Sequence, residues 1–340
     1  MREDVADPAV LGQLTSAEAD LNAAVAARDI DVIEKRCEAV NRAMAVVMPP
    51  RSHPTLRENL EVLVVAIAVA MAFRCYFLQP FKIPTGSMQP TLYGIHYTPQ
   101  DQKGMFELGP LRLVKWLATG EWYTEVTAQA AGTFRGPYSR RSTGDGCAIL
   151  YYDINGTAQP IPEGMPLVAS NGNEVVTGQI IARGNTVSGD HLFVNRVKWN
   201  FLKPSRGEVM VFRTDGIPIP RLTEKTHYIK RMCGLPNEAI SIREPALLVD
   251  GTPPLDVEGL LLNAVRAPGY AGYCGGGNDA LFIKADGDSI QLGKGQYLAL
   301  GDNTRNSLDG RYWGPVPAEN LVGPAMVVYW PFSRRWGWIH

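Results

Sequence analysis

The sequence has few cysteines and almost no net charge, and each of these shortages excludes whole classes of protein. It also has only one long hydrophobic run. Five cysteines in 340 residues, with no Cys-x-x-Cys pair, exclude a small disulfide-held fold and provide no zinc-ribbon or thioredoxin-like motif. A formal net charge of −1 gives no overall attraction to nucleic acid, so no nucleic-acid partner is expected. The glycine-rich stretch 269–278 lacks a following Lys-Ser/Thr and a helix, which excludes a phosphate-binding loop.

The length and composition that remain are those of a folded protein of about two domains. A typical domain takes roughly 100–200 residues. Hydrophobic residues make up 45% of the chain, which is enough to form a core and excludes general disorder.

The one long hydrophobic run predicts a membrane span. Residues 62–73 are twelve consecutive apolar residues, and 59–80 is long enough to span if Glu61 and Arg74 lie near the two interfaces. The run is apolar on all sides, which disfavours the alternative of a buried core helix. It starts too far along the chain for a cleavable signal peptide. The basic residues on its two sides are nearly balanced, so charge alone does not decide the orientation.

Residues 1–58 are predicted to form a helical leader before the span. Thr15 to Glu18 read as a capping box at a helix start, and alanine-rich segments follow with a break near Arg28. The pattern indicates a helical hairpin that ends at 48–50. A plain soluble leader and a docking module are both compatible with it.

The chain after residue 80 is predicted to be mostly β. Short β-branched and aromatic runs, separated by Gly and Pro, are typical of strands joined by turns. These runs occupy 208–213, 227–232, 296–300 and 325–330. The stretch 93–188 differs in texture and is predicted to be a large insertion with its own β-rich structure, while about 242–296 forms a smaller cap.

A serine just beyond the span is a candidate nucleophile. Ser87 lies in the sequence PTGSMQPTL at 84–92, where Pro84, Gly86 and Pro90 restrict the backbone to a stiff turn. A serine in such a turn is usually only a turn residue. A catalytic role therefore requires a base.

The best candidate base is a lysine. None of the five histidines (His53, His96, His191, His227 and His340) lies in a recognisable Ser-His-Asp context. Lys230 lies in the strand YIKRM, where alternation puts Tyr228 and Met232 on its own face. Such apolar neighbours would desolvate the amine and lower its pKa from about 10.4 towards neutrality. A neutral amine can deprotonate a serine.

Four blocks that occur in order carry a family resemblance. They are PTGSMQPTL (84–92), GDHLFVNR (189–196), YIKRMCGLP (228–236) and GDNTRNSLDGRYWGPVP (301–317). Together with the span they resemble type I signal peptidase, the bacterial leader peptidase of the serine/lysine dyad class. The resemblance covers about 59–92 and 189–332.

The resemblance implies roles for matching residues. Ser87 would be the nucleophile and Lys230 the neutral general base, with the Ser87 amide and the Thr85 hydroxyl as oxyanion donors. The hydroxyl of Ser307 would orient the lysine amine. The other matching residues support the lysine or form the walls of pockets for small side chains: the ion pair Asp309 and Arg311, and the walls Phe81, Ile83, Pro84, Tyr228 and Ile229.

Some positions depart from the family pattern. Thr85 stands where many members have Ser, which makes the oxyanion geometry less certain because threonine is stiffer at χ1. Asn237 and Glu238 replace Gly-Asp, and little damage is expected. Thr304 and Arg305 replace Arg-Asp, which puts a local salt bridge in doubt. The spacing from the serine to the lysine exceeds the usual one by about the length of the insertion, which costs little closure entropy.

The resemblance also implies a location and a substrate. The β-rich catalytic domain, 81–340, would lie outside the bacterial cytoplasmic membrane on a single transmembrane helix, with 1–58 in the cytoplasm. Substrates would be exported preproteins with an Ala-x-Ala-like site. No metal or organic cofactor is implied. Cys147, Cys233 and Cys274 would face an oxidising space in which one disulfide could form.

Three other functions remain as alternatives. The chain could be a catalytically silent, anchored homologue that binds exported chains, or a peptidase dedicated to a few substrates, with its specificity in the insertion. A self-cleaving transcriptional repressor shares the chemistry but would need a DNA-binding helical module and no membrane span.

Overall fold

A computed structural model of the chain describes residues 8–47, 54–143, 147–217 and 225–339. The chain divides into two compact units, Met1–Met71 and Ala72–His340. Seven α-helices and eighteen strands are present in the described ranges. The helices are α1 Pro8–Ala27, α2 Ile30–Val47, α3 Pro54–Tyr76, α4 Leu111–Thr119, α5 Lys198–Phe201, α6 Glu258–Ala264 and α7 Gly310–Trp313.

The strands all belong to the second unit. They are β1 Leu78–Lys82, β2 His96–Thr98, β3 Glu121–Thr127, β4 Gly132–Ser142, β5 Ala148–Ile154, β6 Thr157–Pro162, β7 Glu174–Val175, β8 Ile180–Val187, β9 His191–Asn195, β10 Val209–Arg213, β11 His227–Gly234, β12 Ala239–Arg243, β13 Ala246–Val249, β14 Ser289–Gln291, β15 Gln296–Leu300, β16 Val316–Pro317, β17 Leu321–Trp330 and β18 Gly337–Trp338. The prediction of a mostly β region after residue 80 is confirmed.

The first unit contains a helical hairpin, as the sequence predicts, but α1 starts earlier than expected. Thr15 is not an N-cap, because it lies inside α1 and its hydroxyl donates to the carbonyl of Leu11 at 2.9 Å. A threonine hydroxyl can make this bond within a helix, so the capping-box interpretation is wrong. The break between α1 and α2 lies at Arg28, whose φ is +56°. The predicted end of the hairpin, 48–50, lies outside the described residues.

Helix α3 carries the apolar run. Its segment Glu58–Tyr76 is the one helix in the described ranges that is long and apolar enough to cross a membrane, and none of it is buried. The helix ends before the predicted limit at residue 80, because Leu78–Lys82 forms β1 and pairs with β9. Pro80 lacks the amide that a continuing helix would need.

The largest sheet positions the strand that carries the lysine. Its order is β1-β9-β17-β10-β11-β15-β16, and β18 pairs with β17. Strand β11 lies between β10 and β15, with Lys230 opposite Met210 and Arg231 opposite Leu300. Consecutive residues of a strand point to opposite faces, and both charged side chains are buried, so both faces of the sheet are covered at this point.

Residues 93–188 form two further sheets and α4. The sheet orders are β2-β8-β3 and β6-β5-β4-β7. A separate core lies between them, and its fully buried members include Phe134, Ile154, Ile161 and Ile181. This segment therefore has a β-rich core of its own.

Buried Asp190 joins the two ends of that segment. Its carboxylate accepts the Tyr93 amide at 2.7 Å and forms a two-bond ion pair with Arg335 at 2.7 and 2.9 Å. The Asp190 carbonyl accepts the Ile83 amide at 2.8 Å. The base of the insertion thus holds the chain that leads to Ser87.

Strands β12, β13 and β14 form a small sheet of order β13-β12-β14 near the predicted cap. Helix α6 covers a core that includes Ile240, Leu260, Tyr273 and Leu292. This small sheet begins at Ala239, slightly before the predicted boundary.

Candidate active site

Ser87 lies in a tight turn that is held by core packing and by hydrogen bonds. Met88 and Leu92, next to it in the turn, are fully buried and anchor it in the core of the large sheet. Asn303 holds the other side. Its amide donates to the Ser87 carbonyl and its side chain to the Gly86 carbonyl, both at 3.0 Å. These contacts fix the position of the backbone from which the Ser87 side chain extends.

The structure brings Ser87 and Lys230 together across 143 residues of sequence. The Lys230 Nζ lies 2.7 Å from the Ser87 Oγ and 3.0 Å from the carbonyl oxygen of Ile229. Only 3% of the lysine and 6% of the serine are exposed. A nucleophile and a base within hydrogen-bond distance form the arrangement that acyl transfer requires.

Burial gives the lysine a pKa suited to a general base. Desolvation lowers the pKa of Lys230 from 10.5 to about 8, against the opposing pull of the Asp309 and Asp302 carboxylates, while the Arg311 guanidinium lowers it further. Roughly a tenth of the molecules would then hold a neutral amine at pH 7. A neutral amine can accept the serine proton.

A buried ion pair stands beside the lysine, and sequence reasoning missed it. The Arg231 guanidinium makes two bonds to Asp302, at 2.8 and 2.7 Å, and donates to the Gly207 carbonyl at 2.6 Å. The Thr91 hydroxyl, from the turn of Ser87, donates to the same carboxylate at 2.5 Å. The pair thereby ties β11 to the turn that contains Ser87. The available signal was a second charge next to Lys230 in an apolar strand.

A second ion pair, Asp309 with Arg311, orders the loop after β15. The two side chains make two bonds, at 2.8 and 3.0 Å, and both are buried. Arg311 also donates to the Thr304 hydroxyl at 3.0 Å and to the Ser307 carbonyl at 3.1 Å. Thr304 thus serves as an acceptor for Arg311. Its neighbour Arg305 is exposed and lies 3.7 Å from Glu244.

Ser307 lies in the cleft without the predicted bond to the lysine. Its hydroxyl is buried and has no hydrogen-bond partner within the described ranges. The amine of Lys230 is occupied by Ser87 and the Ile229 carbonyl instead. A side chain on Gly301 would overlap both the Ser307 hydroxyl and the Ser87 carbonyl, which explains the glycine there.

The two predicted oxyanion donors are available to a ligand. Thr85 is exposed, and the Ser87 amide lies at the start of the buried turn. Among the described residues, neither the Thr85 hydroxyl nor the Ser87 amide has an acceptor. Both residues line the same cleft as the lysine.

The cleft has a volume of about 570 Å³ and contains only part of the predicted pocket wall. Pro84 and Tyr228 line it together with Ser87 and Lys230. Ile83 is 2% exposed and its side chain belongs to the core, while Phe81 packs against His227 with ring centres 5.1 Å apart. Ile229 is partly buried and packs against the same core as Ile83. The side chains of Phe81, Ile83 and Ile229 are therefore not part of the cleft lining.

No histidine of the described ranges lines the cleft. His96 and His191 each face a backbone carbonyl at 2.9 Å, that of Gly94 and that of Gly189. His227 is at the start of β11 and its pKa is lowered by burial. The remaining two candidates, His53 and His340, lie outside the described residues.

The cysteines do not form the disulfide that the sequence left open. All five fall within the described ranges, and none forms a disulfide bond. Cys233 is fully buried, and desolvation raises the pKa of its thiol to about 12. The described residues also contain no cluster of ligands that could hold a metal ion.

Comparison with known proteins identifies the surroundings of the lysine. A sequence model of the family "Signal peptidase, peptidase S26" matches residues 182–330. That range contains Lys230, Ser307, Asp309 and Arg311, whereas Ser87 lies before it. The serine is therefore connected to the matched region by its 2.7 Å distance from Lys230.

Individual relatives agree with this match. A signal peptidase I of Leptolyngbya laminosa is 32% identical over 146 residues, which are 43% of this chain and 62% of that protein. A probable signal peptidase I-2 of Synechocystis is 32% identical over 43% of this chain and 57% of that protein. The crystal structure of a signal peptidase I from Enterococcus faecalis matches 36% of this chain and 97% of its own, with 25% identity and a TM-score of 0.25. The chain spans about 60% of the length of the curated relatives it matches first. Residues 182–330 of this chain are thus similar to the signal peptidase S26 family.

Proposed function

We propose that the protein is a membrane-bound serine endopeptidase that removes N-terminal signal peptides from exported preproteins. The observation that carries the proposal is the buried contact of 2.7 Å between Ser87 and Lys230, whose pKa is about 8. A buried lysine beside a serine needs no metal or organic cofactor to generate a nucleophile. The family match around the lysine supports signal peptides as the substrate class.

The geometry supports a two-step acyl transfer. The Ser87 Oγ attacks the scissile carbonyl carbon while its proton passes to the neutral Lys230 amine. The Ser87 amide and the Thr85 hydroxyl would bind the oxyanion that develops. The ammonium then gives its proton to the leaving amine, and an acyl-enzyme remains. A water molecule, deprotonated by the same lysine, attacks the ester and releases the signal peptide.

We assign the chain a single-pass topology. Residues 1–58 would be cytoplasmic, and 59–80 would hold the transmembrane segment, of which α3 forms the helical part up to Tyr76. Residues 81–340 would form the catalytic domain outside the bacterial cytoplasmic membrane, with 93–188 as an insertion and about 242–296 as a cap. Ser87 follows the end of α3 by eleven residues, which suits a substrate that is itself held in the bilayer.

Cleavage of a preprotein with a small side chain at the first and third positions before the cut tests this function. We expect the detergent-solubilised full-length protein to cut after the Ala-x-Ala-like site, as mass spectrometry of the products would show. Leucine at the first position should lower kcat/KM at least about tenfold, because a small pocket excludes bulk. Wild-type protein that leaves several such preproteins intact would contradict the proposal and favour a silent or narrowly specialised homologue.

The pH dependence provides a second prediction. Because only the neutral amine of Lys230 is a base, kcat should rise with pH through about 8, the pKa of the lysine, and level off above it. Initial rates from about pH 6 to pH 10 would measure this. A rate that is flat or falls across that window would assign the proton transfer to another group.

A further inference from the structure

The insertion provides part of the wall of the active-site cleft. Besides the dyad, the cleft lining includes six residues of 93–188: Ile95, Tyr97, Arg140, Cys147, Ala148 and Glu163. The start of the insertion is fixed beside the turn of Ser87, since the Ile95 amide donates to the Pro84 carbonyl at 3.1 Å. A preprotein segment that fills this cleft would therefore contact the inserted sheet.

Two of these insertion residues carry opposite charges and bind each other. Arg140 on β4 donates two hydrogen bonds to the Glu163 carboxylate after β6, at 2.9 and 2.8 Å. The hydrogen bond from Arg140 lowers the pKa of Glu163, so both groups are charged at neutral pH. Their side chains are 58% and 43% exposed. An ion pair this exposed contributes little to folding stability. A contribution to stability therefore does not explain why the pair lies in the cleft.

The charges are accessible to a substrate. A polypeptide that fills the cleft displaces water from both side chains, and the lower local dielectric strengthens their interaction with charges on the polypeptide. Arg140 and Glu163 lie in the same cleft as Pro84 and Tyr228, which line the space beside the dyad. The small side chains before the cut carry no charge, so only the residues flanking them would respond to this pair.

We propose that Arg140 and Glu163 select among preproteins by the charge of the residues that flank the small residues at the cut. This inference rests on the proposed function. It makes the inserted sheet a specificity element, and it identifies the ligand as an extended preprotein segment with ionised side chains next to its cleavage site.

The test is a set of preproteins that differ by one residue only. Lys, Gln or Glu is placed in turn at the second position before the cut and at the first and second positions after it. The measured quantity is the ratio of kcat/KM for the Lys and Glu forms, with the full-length enzyme in detergent. Arg140→Gln leaves Glu163 unpaired and should raise this ratio at least about threefold at one position or more. Glu163→Gln leaves Arg140 unpaired and should lower the ratio at the same position.

Matched controls separate charge selection from a general effect. Lys103 and Glu125 form an ion pair of 3.0 Å in the same insertion but outside the cleft lining, and Lys103→Gln and Glu125→Gln should leave every ratio unchanged. The double exchange Arg140→Glu with Glu163→Arg keeps an ion pair and reverses its polarity. It should move the ratio away from the wild-type value, which a purely structural pair would not do.

The outcomes distinguish the two proposals. Wild-type enzyme that cleaves the neutral series, with ratios that stay the same in Arg140→Gln, Glu163→Gln and the exchange, would overturn the selection by charge and leave the peptidase function intact. Wild-type enzyme that cleaves no member of the series would overturn both. The neutral Gln substrates report whether each variant is still folded and active.

Discussion

Ser87→Ala and Lys230→Met should each lower kcat for preprotein cleavage at least about a thousandfold. Alanine removes the attacking oxygen. Methionine fills the buried site of Lys230 with an apolar chain of similar length and removes the amine that lies 2.7 Å from that oxygen. Because the two groups act in one step, the double variant should be no worse than either single one.

The matched control for the lysine is Lys82→Met. Lys82 is an exposed lysine at the end of β1, five residues before the serine, and it does not line the cleft. It should retain nearly full activity. Thermal unfolding of all variants would show whether they are folded. If Lys230→Met stayed active, the base would lie elsewhere.

Asp302→Ala should lower the free energy of unfolding by about 3–5 kcal/mol. The substitution leaves the Arg231 guanidinium, which is 1% exposed, buried without its counter-charge. It also removes the carboxylate that accepts the Thr91 hydroxyl, so the turn that contains Ser87 loses a hydrogen bond that links it to β11 through the ion pair. Urea unfolding of the full-length protein, followed by tryptophan fluorescence, would measure the loss.

An exposed ion pair is the appropriate comparison for this buried one. Glu163→Gln should cost no more than about 1 kcal/mol, because its partner Arg140 stays in water. The double variant Arg231→Met with Asp302→Leu removes both charges and should recover much of the loss from Asp302→Ala. A loss below about 1 kcal/mol for Asp302→Ala would contradict the assignment of a buried, mutually dependent pair.

Local sequence patterns predicted which helices and strands form better than they predicted the residues at which these elements begin and end. The strand runs at 227–232 and 296–300 agree closely with β11 and β15, because alternation and flanking turn residues act over a few positions. The span was predicted to reach residue 80, but pairing with β9, more than a hundred residues away, converts its last residues into β1. The capping-box interpretation of Thr15 failed because the same hydroxyl can satisfy a carbonyl inside a helix.

The residues that hold the turn of Ser87 were not predicted, for a related reason. Arg231 and Asp302 are 71 residues apart, and Thr91 and Asp302 are 211 apart. Asn303 binds the turn through two carbonyls across a similar distance. All lie in or beside the recognised sequence blocks. The spacing of residues within one block, however, does not show which residue of another block each of them contacts in the fold.

The sequence by itself determined the chemistry that is available and the order of the parts. It placed a serine in a stiff turn, a lysine in an apolar strand, a single apolar run before them and an insertion between them. Tertiary structure alone decided that Ser87 and Lys230 meet, that the lysine is desolvated to a pKa of about 8, and that the insertion carries Arg140 and Glu163 into the cleft. Residue types and the spacing of apolar residues can be read from the sequence. The desolvation of a side chain and its distance from another residue depend on segments that only folding brings together.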